Sequence, residues 1–136
     1  MSVALLSLIG FAAWTLALAA VVVSYRTLLV LSGKHPANSW TRGSAIPSPA
    51  LITRMEHAHL NCIENLPVFA VVVLVAVAMN QAAVIAVLAP WVLAARVAQS
   101  LTHLVGVSHW LVFVRASFYT VQVALMFWMM IQLAVA

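Results

Sequence analysis

Carboxylates are almost missing from this chain: it has two, Glu56 and Glu64, against six lysines and arginines in 136 residues. Charged residues make up 6% of the sequence, where about 25% is usual for a soluble domain. So few charges could not clothe the surface of a water-facing fold, which excludes a soluble globular domain. Cys62 is the only cysteine, so an intrachain disulfide is excluded. The cations Arg26, Lys34, Arg42, Arg54, Arg96 and Arg115 stand singly. Without a basic run there is no footprint for nucleic acid. HExxH, CxxC and glycine-rich phosphate-loop patterns are absent. His57 and His59, two apart on a helix, point to different faces, so no metal site is expected. Internal repeats and low-complexity tracts are also lacking.

What fills the chain is apolar: 66% of residues are hydrophobic. A bilayer supplies the missing apolar solvent and sets the span length at roughly 20 residues. The segment Met1–Tyr25 has no basic n-region and an apolar run too long for a signal peptide, so it reads as a retained first span. Ser32–Pro49 is the one stretch rich in Gly, Pro, Ser and Asn, a loop with Trp40 at an interfacial position. Ser48-Pro49 reads as an N-cap followed by proline at the first helical position. Asn80-Gln81 makes a minimal turn, and Gly106–His109 breaks the last apolar run. These breaks predict a single domain over 1–136, an all-α integral membrane four-helix bundle with spans at about 3–31, 50–79, 82–104 and 110–135. Pro67 and Pro90 fall inside the second and third spans, which membrane bundles tolerate.

Orientation follows from the cations. Lys34 and Arg42 lie in the first loop, flanked by Arg26 and Arg54, while the Asn80-Gln81 turn and both ends carry no charged side chain. The positive-inside rule then puts both termini on the non-cytoplasmic side and the basic face, with any active site, on the cytoplasmic side of a multi-pass protein.

Spacing brings the charges to one level. Glu64 and Arg96 each lie about 23–25 Å from the Asn80-Gln81 turn at about 1.5 Å per residue. Arg115 lies about 31 Å from the C-terminus by the same rise, and Arg26 is at the inner end of span one. Arg54, His57, Asn61 and Glu64 step by three and four along one face. Arg96, Gln99 and His103 form a second stripe, and Arg115, Tyr119 and Gln122 a third. Lipid does not accept such stripes, so they face protein or a wet cavity. A Glu64–Arg96 pair could simply staple two helices. It would leave Arg26, Arg54 and Arg115 unbalanced, with Glu56 on a different face, and that surplus calls for an anionic ligand. Cys62 falls off the polar stripe, and Met126, Trp128, Met129 and Met130 suit packing or lipid better than a cofactor.

The stretch from Arg54 to Phe69, with its Ala58-x-x-Asn61-x-x-Glu64 core and the Pro and aromatic that follow, resembles the signature of the MAPEG family, membrane-associated proteins in eicosanoid and glutathione metabolism. Arg115-Ala-Ser-Phe-Tyr119 is similar to that family's Arg-x-x-x-Tyr. Arg26 and Arg96 fall where the family places basic residues, and span number and order agree along the whole chain. Three positions depart from the pattern: Leu60 and His57 where basic residues are frequent, and His103 where tyrosine is often found.

The resemblance, of a microsomal glutathione transferase-like kind, implies a homotrimer among membrane lipids with glutathione as co-substrate between adjacent subunits on the cytoplasmic side. It implies a transferase or peroxidase, of the detoxification kind, acting on lipophilic electrophiles. Arg115 would be the catalytic, thiolate-stabilising cation, since a neighbouring cation favours thiolate over thiol. Arg26, Arg54, Asn61 and Glu64 would hold the tripeptide, Arg96 and Tyr119 would line or brace the site, and His57 and His103 would complete its lining. Two other readings stand beside it: a non-catalytic trimer binding an anionic lipid or another thiol, and a small proton-coupled exporter. Span one has no carboxylate, which counts against the exporter.

Overall fold

The computed structural model describes residues 1–41 and 46–136. Arg42, one of the cations behind the expected orientation, lies outside the described residues. Four helices follow one another: α1 Val3–Leu31, α2 Ala50–Ala78, α3 Ala89–Val105 and α4 His109–Val135. α2 and α3 form the central pair, with α1 packed on both and α4 packed on both from the other side. Among the described residues α1 and α4 do not meet. This is the all-α membrane bundle expected from the apolar runs.

The helices pack on seams that are visible as a heptad-like rhythm. α1 buries Ala4, Ser7, Phe11, Thr15, Leu18 and Val22, and α4 buries Gln122, Met126, Met129 and Leu133. Steps of three and four keep such a stripe facing its neighbours in a low-angle bundle. Small residues on the seams, Ala58 and Cys62 on α2 and Ala89 and Ser100 on α3, let backbones approach closely. Phe11 of α1 meets Phe69 of α2 with ring centroids 5.7 Å apart. Large apolar side chains such as Leu16, Val87, Trp91 and Phe113 are exposed, whereas Arg96 and Gln122 are fully buried. The outside is apolar and part of the inside is polar, which suits lipid as the solvent.

The helix ends are closed by local chemistry. Ser2 and Ser108 cap α1 and α4 by accepting from Leu5 N and Leu111 N. α1 ends with Gly33 at φ +70°, its N–H on the Val30 carbonyl and the Lys34 N–H on the Leu29 carbonyl. α2 ends in the same way at Asn80, φ +57°, with bonds from Asn80 to Val77 and from Gln81 to Ala76. Both are Schellman closures, which need a left-handed residue that Gly supplies freely and Asn tolerates.

Two details differ from the sequence expectation. The N-cap of α2 is Pro49 rather than Ser48, and it offers no side-chain cap bond. The third helix begins at Ala89, not at 82. Residues 82–88 wind by tighter turns, with bonds from Val84 to Gln81, Ala86 to Ala83 and Leu88 to Ile85. Pro90 is therefore in the first turn of α3, where its missing N–H costs nothing, and not in a helix interior. α3 alone, 17 residues, reaches about 26 Å, short of a bilayer core of about 30 Å. The wound segment before it adds to that length. α1, α2 and α4 are each long and apolar enough to cross by themselves.

At Gly10, α1 comes close to a side chain of α3: a Cβ there would lie 2.8 Å from Leu93 Cδ2. The end of a leucine side chain can shift for one methyl but not for a branched chain. Gly10→Ala is expected to keep the thermal midpoint in detergent, while Gly10→Ile is expected to overpack the seam and cost about 1–3 kcal/mol, read as a lowered midpoint.

Candidate functional site

The polar stripes of three helices converge. Asn61 and Glu64 of α2, Gln99 of α3 and Val112, Arg115, Ala116 and Tyr119 of α4 line one cavity of about 270 Å³. It opens on the flank of the bundle, where Glu64 and Tyr119 are exposed. Their depth in the bundle makes lipid a poor solvent for that mouth.

Arg115 is held from behind. Its Nη1 donates to Nδ1 of His103 on α3. A guanidinium only donates, so His103 must keep Nδ1 bare and carry its proton on Nε2. Protonating both ring nitrogens would remove the acceptor and set two cations face to face. His103 thus supplies the acceptor that holds the arginine. The His57 ring lies 6.0 Å from that of His103, on the side of Arg54.

Arg54 itself donates from Nε to the Leu104 carbonyl at 2.9 Å. That carbonyl is in the last turn of α3, where helical acceptors have no internal donor and a cation also meets the negative end of the helix dipole. Arg54 therefore fastens α2 to the end of α3.

Arg96 stands behind the cavity rather than in it. It is fully buried, its Nη1 donates to Gln99 Oε1 at 2.7 Å, and its guanidinium lies 5.5 Å from the Phe11 ring centre. The Glu64–Arg96 pair considered above does not form. Helix rotation turns Glu64 to the open flank and Arg96 to the seam, although the two share a level. The one ion pair among the described residues is Arg26–Glu56, 2.9 Å. This corrects the reading of Arg26 as an unbalanced cation: Glu56, on the other face of α2, is its counter-charge. Arg26 also lies 5.8 Å from the Trp40 ring centre and lines a separate, mostly apolar hollow with Val23, Val30 and Trp40.

The structure thus brings Asn61, Glu64, Arg115 and Tyr119 together, sets His103, His57, Arg54 and Arg96 behind or beside them, and leaves Arg26 on the α1 side. Gln99, Val112 and Ala116 were not among the candidate site residues. Gln99 carried a signal, since it lies on the Arg96–His103 stripe; Val112 and Ala116 carried none beyond their nearness to Arg115. Elsewhere, His59 Nδ1 lies 3.0 Å from the Thr15 carbonyl and links α2 to α1. Buried Cys62 has its sulfur 3.8 Å from Ser100 Oγ, a packing position away from the cavity. Among the described residues no three His, Cys, Asp or Glu side chains gather as metal ligands would.

Fold and cavity define a multi-pass integral membrane protein with an amphipolar site built by three of its four helices. Residues 4–135 match the MAPEG family, essentially the whole chain. The chain belongs to that family, membrane-associated proteins in eicosanoid and glutathione metabolism. No curated protein and no solved structure matches it significantly.

Removing the Arg54 bond should loosen the end of α3 without touching the cavity wall. Arg54→Met is expected to cost about 1.5–3 kcal/mol, the range for a charge-assisted hydrogen bond. Thermal unfolding in detergent without added thiol would register it.

Proposed function

We propose that the protein is a glutathione-dependent transferase or peroxidase acting on lipophilic electrophiles, with Arg115 stabilising the thiolate. The observation that carries this reading is the meeting of Asn61, Glu64, Arg115 and Tyr119 in one cavity, within a chain of the MAPEG family. Glutathione carries two carboxylates, an ammonium and a thiol. Glu64, which has no ion-pair partner among the described residues, suits the ammonium. Arg115, Asn61 and Tyr119 supply the cation and donors that carboxylate and sulfur require.

A free thiol titrates near pH 8.5, so only a few per cent is thiolate at neutral pH. A guanidinium at hydrogen-bond distance stabilises the anion and raises that fraction. Arg115 is suited to this because His103 fixes its position through Nη1, so no reorganisation is needed when charge develops on sulfur. In the transferase reaction the thiolate forms a bond to the electrophilic carbon, whose leaving group or epoxide oxygen takes the displaced electron pair. In the peroxidase reaction it attacks the terminal oxygen of the hydroperoxide, the O–O bond breaks, the alkoxide leaving group takes a proton, and a second glutathione converts the sulfenic acid to disulfide with release of water.

The assembly belongs to the same proposal. About 270 Å³ is small for a tripeptide beside a second substrate, and the open mouth exposes Glu64 at membrane depth. A second copy covering that flank would enlarge the site and remove the charge from lipid, in keeping with a homotrimer holding glutathione between subunits. It would also give Arg26, which one chain leaves on the α1 side, a place at a neighbour's cavity. We place the cavity on the cytoplasmic side and both termini on the other.

Ultraviolet difference absorbance of the detergent-solubilised protein titrated with glutathione tests the core of this. A saturable thiolate band is expected, and Arg115→Ala should abolish it, lower turnover by about 10²–10³-fold and leave the oligomer intact by crosslinking. A thiolate band undiminished in Arg115→Ala would remove Arg115 from the chemistry. Binding without turnover across epoxides, hydroperoxides and aryl halides would make the protein a binding module.

A further inference from the structure

Gln99 combines two features that no other residue of the site shares. It is almost fully buried, and it bridges a cation that never reaches the cavity to the cavity wall itself. Arg96 is wholly enclosed, and its Nε and Nη2 have no partner among the described residues. Its charge therefore rests on the Phe11 ring and on a single short bond to the Gln99 amide. A guanidinium has donors only. Whichever end of the amide faces it must be the oxygen, so the orientation is dictated by chemistry and cannot relax to suit a ligand. The amide nitrogen is then turned away from Arg96, and Gln99 Nε2 has no partner among the described residues.

We infer that Arg96 locks the Gln99 amide with its NH₂ toward the cavity, making Gln99 a ligand-binding donor and Arg96 a positioning residue that never touches the ligand. The inference rests on the glutathione reading for the identity of the ligand but not for the lock. Its content is a rule of polarity. The group bound at Gln99 must be an acceptor, a carboxylate or peptide carbonyl of glutathione, and the ammonium is kept to the Glu64 side. A freely rotating glutamine could serve either group and would not enforce one binding direction.

Two measurements on the full chain in detergent separate the lock from the ligand. In the absence of thiol, Gln99→Glu converts the neutral bond into an ion pair with Arg96 and is expected to hold or raise the thermal midpoint. In an Arg96→Met background, itself tolerated because an apolar side chain of similar length replaces a poorly compensated buried charge, Gln99→Glu should lower the midpoint. A Gln99→Glu change that lowers the midpoint equally in both backgrounds would overturn the lock. In the glutathione titration, Gln99→Glu presents acceptors only and should weaken binding about tenfold or more, against the direction of its thermal effect. A purely structural role would move both readouts together. Gln99→Met should also weaken binding, and adding Arg96→Met to it should weaken binding no further, since Arg96 acts only through Gln99. Additive losses would put Arg96 in direct contact with the ligand and sink the positioning role. Wild-type protein that takes up no glutathione would remove the proposed function and the ligand half of this inference, while the thermal cycle still decides the lock.

Discussion

A fully buried guanidinium is the constraint from which the middle of this bundle follows. Arg96 is fully buried in α3 at a depth where neither lipid nor solvent can replace lost hydration. The desolvation of such an ion is repaid only when nearby groups answer its charge. Here the answer comes from the face of Phe11 on α1 and the side-chain oxygen of Gln99 one helical turn away. Both partners are thereby fixed. Phe11 also meets Phe69 of α2, and Gln99 also faces the cavity, so one charge ties the apolar seam to the polar site.

The other arginines follow the same logic with different partners. Arg115 leans on the His103 ring nitrogen, Arg54 on the last turn of α3 and Arg26 on Glu56. Two of these three partners are neutral, so at Arg115 and Arg54 the positive charge is held in position without being cancelled. That distinction matters for the anion binding proposed at this site. A carboxylate partner on Arg115 would neutralise the charge, whereas a neutral imidazole orients it and leaves the field intact. Glu64, meanwhile, is turned outward, free of the arginines that share its level.

How much of this was legible in the chain depended on which physical signal each feature left. Helix number and three of the four helix spans follow from runs of apolar residues and from breaks such as Asn80-Gln81, because the bilayer demands length and apolarity. The start of α3 was misread because residues 82–88 are as apolar as a helix; only backbone bonding distinguishes the tighter turns that Pro90 terminates. Rise per residue places Glu64 and Arg96 at a similar height, yet no ion pair forms between them. Rise fixes height, whereas contact also needs the rotation of each helix about its axis, which neighbouring seams set. Glu56 illustrates the same limit: off the polar stripe of its own helix, it faces Arg26 on the next one.

Composition and periodicity act along one dimension, and they suffice for the solvent this protein lives in, the four helices and the presence of a basic polar band. Tertiary structure alone decided which cation meets which acceptor: Arg96 with Gln99, Arg115 with His103, Arg26 with Glu56. Hydrogen bonds are satisfied over about 3 Å, a distance that only packed and rotated helices bring about.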